Sequence, residues 1–61
     1  MIHIALADDQ LLFRKGMIAL LNQFNSMEVV LEAETGNQLL QQLSSTRPLP
    51  DLVLLDISMP D

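Results

Sequence analysis

The chemistry available to this sequence is concentrated in three aspartates: the adjacent pair Asp8 and Asp9, and Asp56 far downstream. Each follows a short apolar run, Ile2 to Ala7 before the pair and Leu52-Val53-Leu54-Leu55 before Asp56. Such runs read as buried strands. Were the two strands parallel neighbours, their backbones would lie about 4.8 Å apart and all three carboxylates would meet at one edge. Carboxylates held that close repel one another, and a hard divalent cation removes the conflict. Mg²⁺ takes oxygen ligands in an octahedron and keeps several waters, so one or two carboxylates and a backbone carbonyl suffice. A carboxylate beside such a cation can also attack a phosphoryl group, because the metal screens the repulsion between the two anions. The product, an aspartyl phosphate, is an acyl phosphate reactive enough to serve as a reversible mark. Taken alone, Asp8-Asp9 is equally a helix N-cap. Asp56 at the matching strand end favours the acidic metal site.

The elements that must position these groups alternate in type. Residues 10–24 are expected to be helical, with Phe13, Met17, Leu20, Leu21 and Phe24 on one face. In Met27 to Glu34, Val29, Leu31 and Ala33 alternate with mostly polar neighbours, as in an edge strand with one face partly solvated. Thr35-Gly36-Asn37-Gln38 fits a capping box. It opens a short helix whose inward stripe is expected to be Leu39, Leu40 and Leu43, ending before Pro48. Leu52 to Leu55 reads as a strand buried on both faces. Strand, helix, strand, helix, strand with short connections predicts an α/β fold, a three-stranded parallel sheet of order 2-1-3 formed by right-handed crossovers. Open parallel sheets place their sites at carboxyl ends, where the strand order reverses.

Composition narrows the partners. The chain has 61 residues, 3 Lys plus Arg against 8 Asp plus Glu, and a net charge of −5. That balance argues against nucleic acid and against an anionic membrane surface. No apolar run approaches a membrane span and Met1-Ile2-His3-Ile4 does not begin a signal peptide, so a cytoplasmic location is expected. With no Cys, neither disulfides nor thiolate metal sites contribute. A nucleotide-binding half-domain would need a Gly-rich turn after the first strand, where Ala7-Asp8-Asp9-Gln10 stands instead. His3, at the far end of its strand, reads as a structural residue, as does Asp51 at the entry to the last strand. Arg14-Lys15 reads as a solvated helix patch.

Asp8-Asp9 after the first strand, with Pro50-Asp51-Leu52-Val53-Leu54-Leu55-Asp56-Ile57-Ser58-Met59-Pro60 later, resembles a bacterial response-regulator receiver domain. Val30-Leu31-Glu32-Ala33, Gly36 and Leu39-Leu40 are similar to receivers that carry a LuxR-type DNA-binding output domain. A haloacid-dehalogenase-type phosphatase also uses an aspartate nucleophile, but it wants a second Asp two residues on, where this chain has Ser58. The receiver resemblance implies a flavodoxin-like fold, with Asp56 as phosphoryl acceptor and a sensor histidine kinase as donor. It implies Mg²⁺ held by Asp9 directly, by Asp8 mainly through water, by Asp56, and by the backbone carbonyl of Ser58. Met59-Pro60 would shape the following loop, and the first helix, with Arg14-Lys15, would dock the kinase. Residues 1–61 correspond to the family's first three strands and two helices, so a truncated receiver is expected. The hydroxyl residue and the lysine that the family carries on later strands have no counterpart here, and the isolated segment is expected to be inactive. Its third strand would be an uncovered apolar edge, and self-association as a homodimer or larger assembly is expected from it.

Overall fold

The computed structural model describes residues 1–56. It contains β1 (Ile2–Ala7), α1 (Leu11–Asn22), β2 (Met27–Ala33), α2 (Gly36–Ser45) and β3 (Leu52–Leu55). The strands form one parallel sheet of order β2-β1-β3, as the alternation of elements predicts. β1 is central and is buried from Ile4 through Ala7.

Side-chain alternation sorts the strand residues between two faces. Ala5, Ala7 and Ala33 meet Leu39 of α2 in a buried cluster, with Leu31 and Leu43 packed against it. The small alanines let the helix lie close to the sheet. Ile4 and Leu6 point the other way, toward the side that α1 covers. β2 is not one uninterrupted alternation, however. Ile4 pairs with Val29 and Ala5 with Leu31, so Val30 is an extra residue in a bulge. Val29 therefore shares a face with Ile4, whereas Leu31 and Ala33 share the opposite face with Ala5 and Ala7. The same phase change puts Glu32, which pairs with Leu6, on the α1 side.

The helices differ from expectation in which face they bury. α1 runs over Leu11–Asn22, shorter than residues 10–24. Its inward stripe is Arg14, Met17, Ile18 and Leu21, while Phe13, Leu20 and Phe24 are each more than half exposed. Arg14, whose contacts are described below, draws the helix toward β2, so that Phe13 borders an open groove beside Leu6 and Leu54 instead of a packed core. In α2, Leu39 is buried and Leu43 partly so, but Leu40 points outward at 66% exposure. β3 corrects a further expectation. Leu52, Val53 and Leu55 are exposed, because among the described residues the strand pairs only with β1, and α1 lies mainly against β2.

The Thr35 cap forms. Its side-chain oxygen accepts from the Gln38 backbone N–H at 3.1 Å, while Gln38 Oε1 accepts from the Glu34 N–H at 2.9 Å. The return arm thus reaches one residue beyond the cap itself. Thr35→Ala is expected to lower stability by about 1 kcal/mol, and Thr35→Ser to keep most of it, as read by denaturant unfolding.

Candidate metal centre

Parallel pairing on both sides of β1 brings the carboxyl ends of the strands together. Ala7 pairs with Ala33 on one side and Leu55 on the other. The next residues carry the ladders one step further: the Asp8 N–H donates to Ala33 O at 3.1 Å and the Asp56 N–H to Ala7 O at 3.2 Å. Asp8 and Asp56 therefore leave the sheet side by side. One carboxylate oxygen from each of Asp8, Asp9 and Asp56 lies within 4.8 Å of the others. Asp8 is 2% exposed, Asp56 is half-buried and Asp9 faces solvent, so the cluster runs from the sheet edge outward. A groove of about 370 Å³ opens beside it, lined on the apolar side by Leu6, Phe13, Met17 and Leu54. The fourth expected ligand, the carbonyl of Ser58, lies outside the described residues, as does Met59-Pro60.

The turn from β1 into α1 is held by Asp8. Its Oδ1 accepts from the Gln10 N–H at 2.8 Å, closing an Asx turn one step before the helix. Gln10 occupies the cap position and makes no side-chain cap bond of its own. The carbonyl of Asp8 accepts from Arg14 Nη1 at 2.7 Å. Arg14 is 6% exposed, not solvated, and its Nε donates to Glu32 Oε1 at 2.8 Å. Lys15, which stays exposed, reaches Glu32 Oε2 at 2.7 Å.

Arg14 and Glu32 are the residues that sequence reasoning missed. The available signal was that Arg14 stands at the i−3, i−4 and i−7 positions relative to Met17, Ile18 and Leu21, inside an apolar stripe. Glu32 was concealed by the bulge that places it on the α1 face. The two expected structural residues sit at the other end of the sheet. Asp51 Oδ2 accepts from the His3 N–H at 2.9 Å, and the Asp51 N–H donates to His3 O at 2.7 Å. The His3 ring lies between Glu28 and Asp51, at 3.8 and 3.9 Å.

Three carboxylates at the strand ends offer the hard, anionic oxygen donors that Mg²⁺ and Mn²⁺ select. The donor set fits such a cation.

Comparison with known proteins agrees with this architecture. The family model for the response regulator receiver domain matches residues 4–61, and the chain belongs to that family. Receiver domains bind Mg²⁺ at an acidic pocket and act with histidine kinases. The chain is similar to the uncharacterized transcriptional regulatory protein YhcZ of Bacillus subtilis, with 43% identity over 95% of this chain and 26% of that protein. It is also similar to the oxygen regulatory protein NreC of Staphylococcus aureus, with 40% identity over 93% of this chain and 25% of that protein. The chain thus spans about a quarter of the length of these curated relatives. No solved structure matches it. Among the described residues, no helix is long and apolar enough to cross a membrane.

Glu32 is held ionised below its ordinary range, first by the Lys15 hydrogen bond and then by Arg14, while burial opposes the shift. A carboxylate whose folded-state value is depressed stabilises the fold above its unfolded value, and that contribution is lost as pH falls through the folded one. The stability difference between the wild type and Glu32→Gln is therefore expected to be largest near neutrality. It should shrink on acidification below the ordinary Glu range of about 4.3, as followed by denaturant unfolding at a series of pH values.

Proposed function

We propose that residues 1–61 are the first part of a longer receiver domain that takes a phosphoryl group from a sensor histidine kinase onto Asp56. The observation that carries this reading is the approach of the Asp8, Asp9 and Asp56 carboxylates to within 4.8 Å at the ends of two adjacent strands. The short span relative to the curated relatives supports a longer parent, and their description as regulators of transcription or oxygen response supports a transcriptional output. The place of action would be the cytoplasm.

In this reading Asp56 is the nucleophile. One of its carboxylate oxygens forms a bond to phosphorus as the bond from phosphorus to the donor's imidazole nitrogen breaks, leaving an aspartyl phosphate and the kinase histidine. Asp9, being exposed, would hold the metal from the mouth of the site. Asp8, almost wholly buried, anchors the turn and would act on a bound metal mainly through water. The Ser58 carbonyl, outside the described residues, is the further ligand that the receiver resemblance implies. A bound Mg²⁺ would screen the repulsion between the Asp56 carboxylate and the phosphoryl oxygens. Leu11 and Leu12, exposed at the start of the helix that follows Asp8-Asp9, suit docking of the kinase.

The test is direct. In the regulator that carries this segment, a small phosphodonor with Mg²⁺ is expected to add one phosphoryl group, detected by intact mass. Asp56→Asn should remove the label, and Asp9→Ala should reduce it by roughly two orders of magnitude or more, as loss of a preorganised electrostatic group does. Persistent labelling in Asp56→Asn would sink the assignment. The segment of residues 1–61 by itself is expected to label poorly.

A further inference from the structure

Arg14 has two bonds that the receiver reading does not use. Its guanidinium is almost fully buried and is divided between a strand and a turn, with Nε on Glu32 of β2 and Nη1 on the main-chain carbonyl of Asp8. We propose that Arg14 is a positioning residue for the acidic centre, that it fixes the turn at residues 8–10, and that Glu32 fixes Arg14 in turn. The proposal rests on the reading of Asp8, Asp9 and Asp56 as a metal centre.

The argument starts from Asp8. Its N–H is tied to Ala33, its side chain to the Gln10 N–H, and its carbonyl to Arg14. A buried carbonyl deprived of its donor carries the full cost of desolvation, so the turn would rearrange to recover a partner. Asp9 is the next residue and is exposed, so its placement near Asp56 depends on the backbone of that turn. Lysine cannot substitute for this arrangement. A guanidinium presents donors in a rigid planar fork that can meet two acceptors in different directions, whereas an ammonium is a point charge on a flexible stem. Glu32 is the acceptor that orients the fork, and Lys15 steadies Glu32 through its other oxygen.

Charge alone predicts the opposite outcome, which makes the proposal decidable. Arg14 is a cation beside a site for a cation. If it acted only through its field, Arg14→Met would tighten divalent metal binding and Arg14→Lys would leave it unchanged. If it acts by holding the turn, both substitutions weaken binding.

The experiment titrates Mn²⁺ into the chain and into Arg14→Lys, Arg14→Met and Asp9→Ala. The temperature is one at which circular dichroism shows each variant folded. In parallel, amide exchange at Gln10 is measured without metal, in these proteins and in Glu32→Ala. Asp9→Ala should abolish binding. Arg14→Lys and Arg14→Met should each weaken it roughly tenfold, the lower end of what outer partners of metal ligands contribute. Gln10 exchange should accelerate in both Arg14 variants and in Glu32→Ala. Should Arg14→Met not fold, Arg14→Lys and Glu32→Ala decide the question. Wild-type Mn²⁺ affinity and wild-type Gln10 exchange in Arg14→Lys would overturn the proposal, as would tighter binding in Arg14→Met. Binding that survives Asp9→Ala overturns the metal-centre reading and the proposal with it. That failure is distinct from one in which Asp9→Ala abolishes binding while Arg14→Lys leaves it intact.

Discussion

Asp8 is a carboxylate with 2% of its surface exposed, in a chain of 61 residues that has little interior to spare. Removing a charged group from water is unfavourable unless hydrogen bonds and opposite charge compensate for it. The Gln10 amide meets part of that requirement at the carboxylate, and the elements on the α1 side satisfy the main chain of the same residue. β2 supplies a carbonyl to the Asp8 N–H, the turn supplies the Gln10 amide, and α1 sends Arg14 back to the Asp8 carbonyl. Arg14 is itself a buried charge, and β2 supplies Glu32 to pair with it. The order of dependence runs from the strand end to the helix face and then to the neighbouring strand.

The register of β3 is fixed by the same kind of residue at both ends. Asp51 engages the backbone of His3 through its own N–H and through its carboxylate, before the first paired residue, Leu52. Asp56 continues the ladder after the last, donating to Ala7. The apolar residues between, Leu52 to Leu55, specify a strand without specifying where along β1 it must sit, since a slipped Leu-Val-Leu-Leu run would pack almost as well. The double contact of Asp51 distinguishes one alignment, and that alignment brings Asp56 beside Asp8.

How much was readable in advance depends on whether the deciding information was local. The three strands follow from short apolar runs, and the Thr35 cap from a hydroxyl and an amide three residues apart. The order 2-1-3 and the convergence of the three carboxylates follow from parallel connections, and the receiver resemblance agrees with the family match. The packing of α1 was only partly readable, because counting apolar residues puts Arg14 outward and expects Phe13 to be covered. A partner on another strand draws Arg14 in, and Phe13 borders a groove beside Leu6 and Leu54 in which it stays half exposed. β2 misled for a different reason. Val29, Leu31 and Ala33 look like one continuous alternation, and nothing within the strand announces that Val30 is an extra residue. The burial of β3 could not be read from its own composition either, since it depends on what lies against the strand.

The bulge at Val30 gives β2 two regular pieces set out of phase by one position. Ordinarily the removal of one residue from a strand inverts every side chain beyond the cut, exchanging core for solvent along the rest of its length. Here the pairing of Ile4 with Val29 and of Ala5 with Leu31 already steps over Val30. Losing that residue would leave Val29 and Leu31 adjacent in sequence as they are adjacent in register, with Glu32 still opposite Leu6. The reading frame of the sheet therefore contains one position at which length itself can vary, placed between the half of β2 that faces α1 with Val29 and the half that carries Glu32 to Arg14.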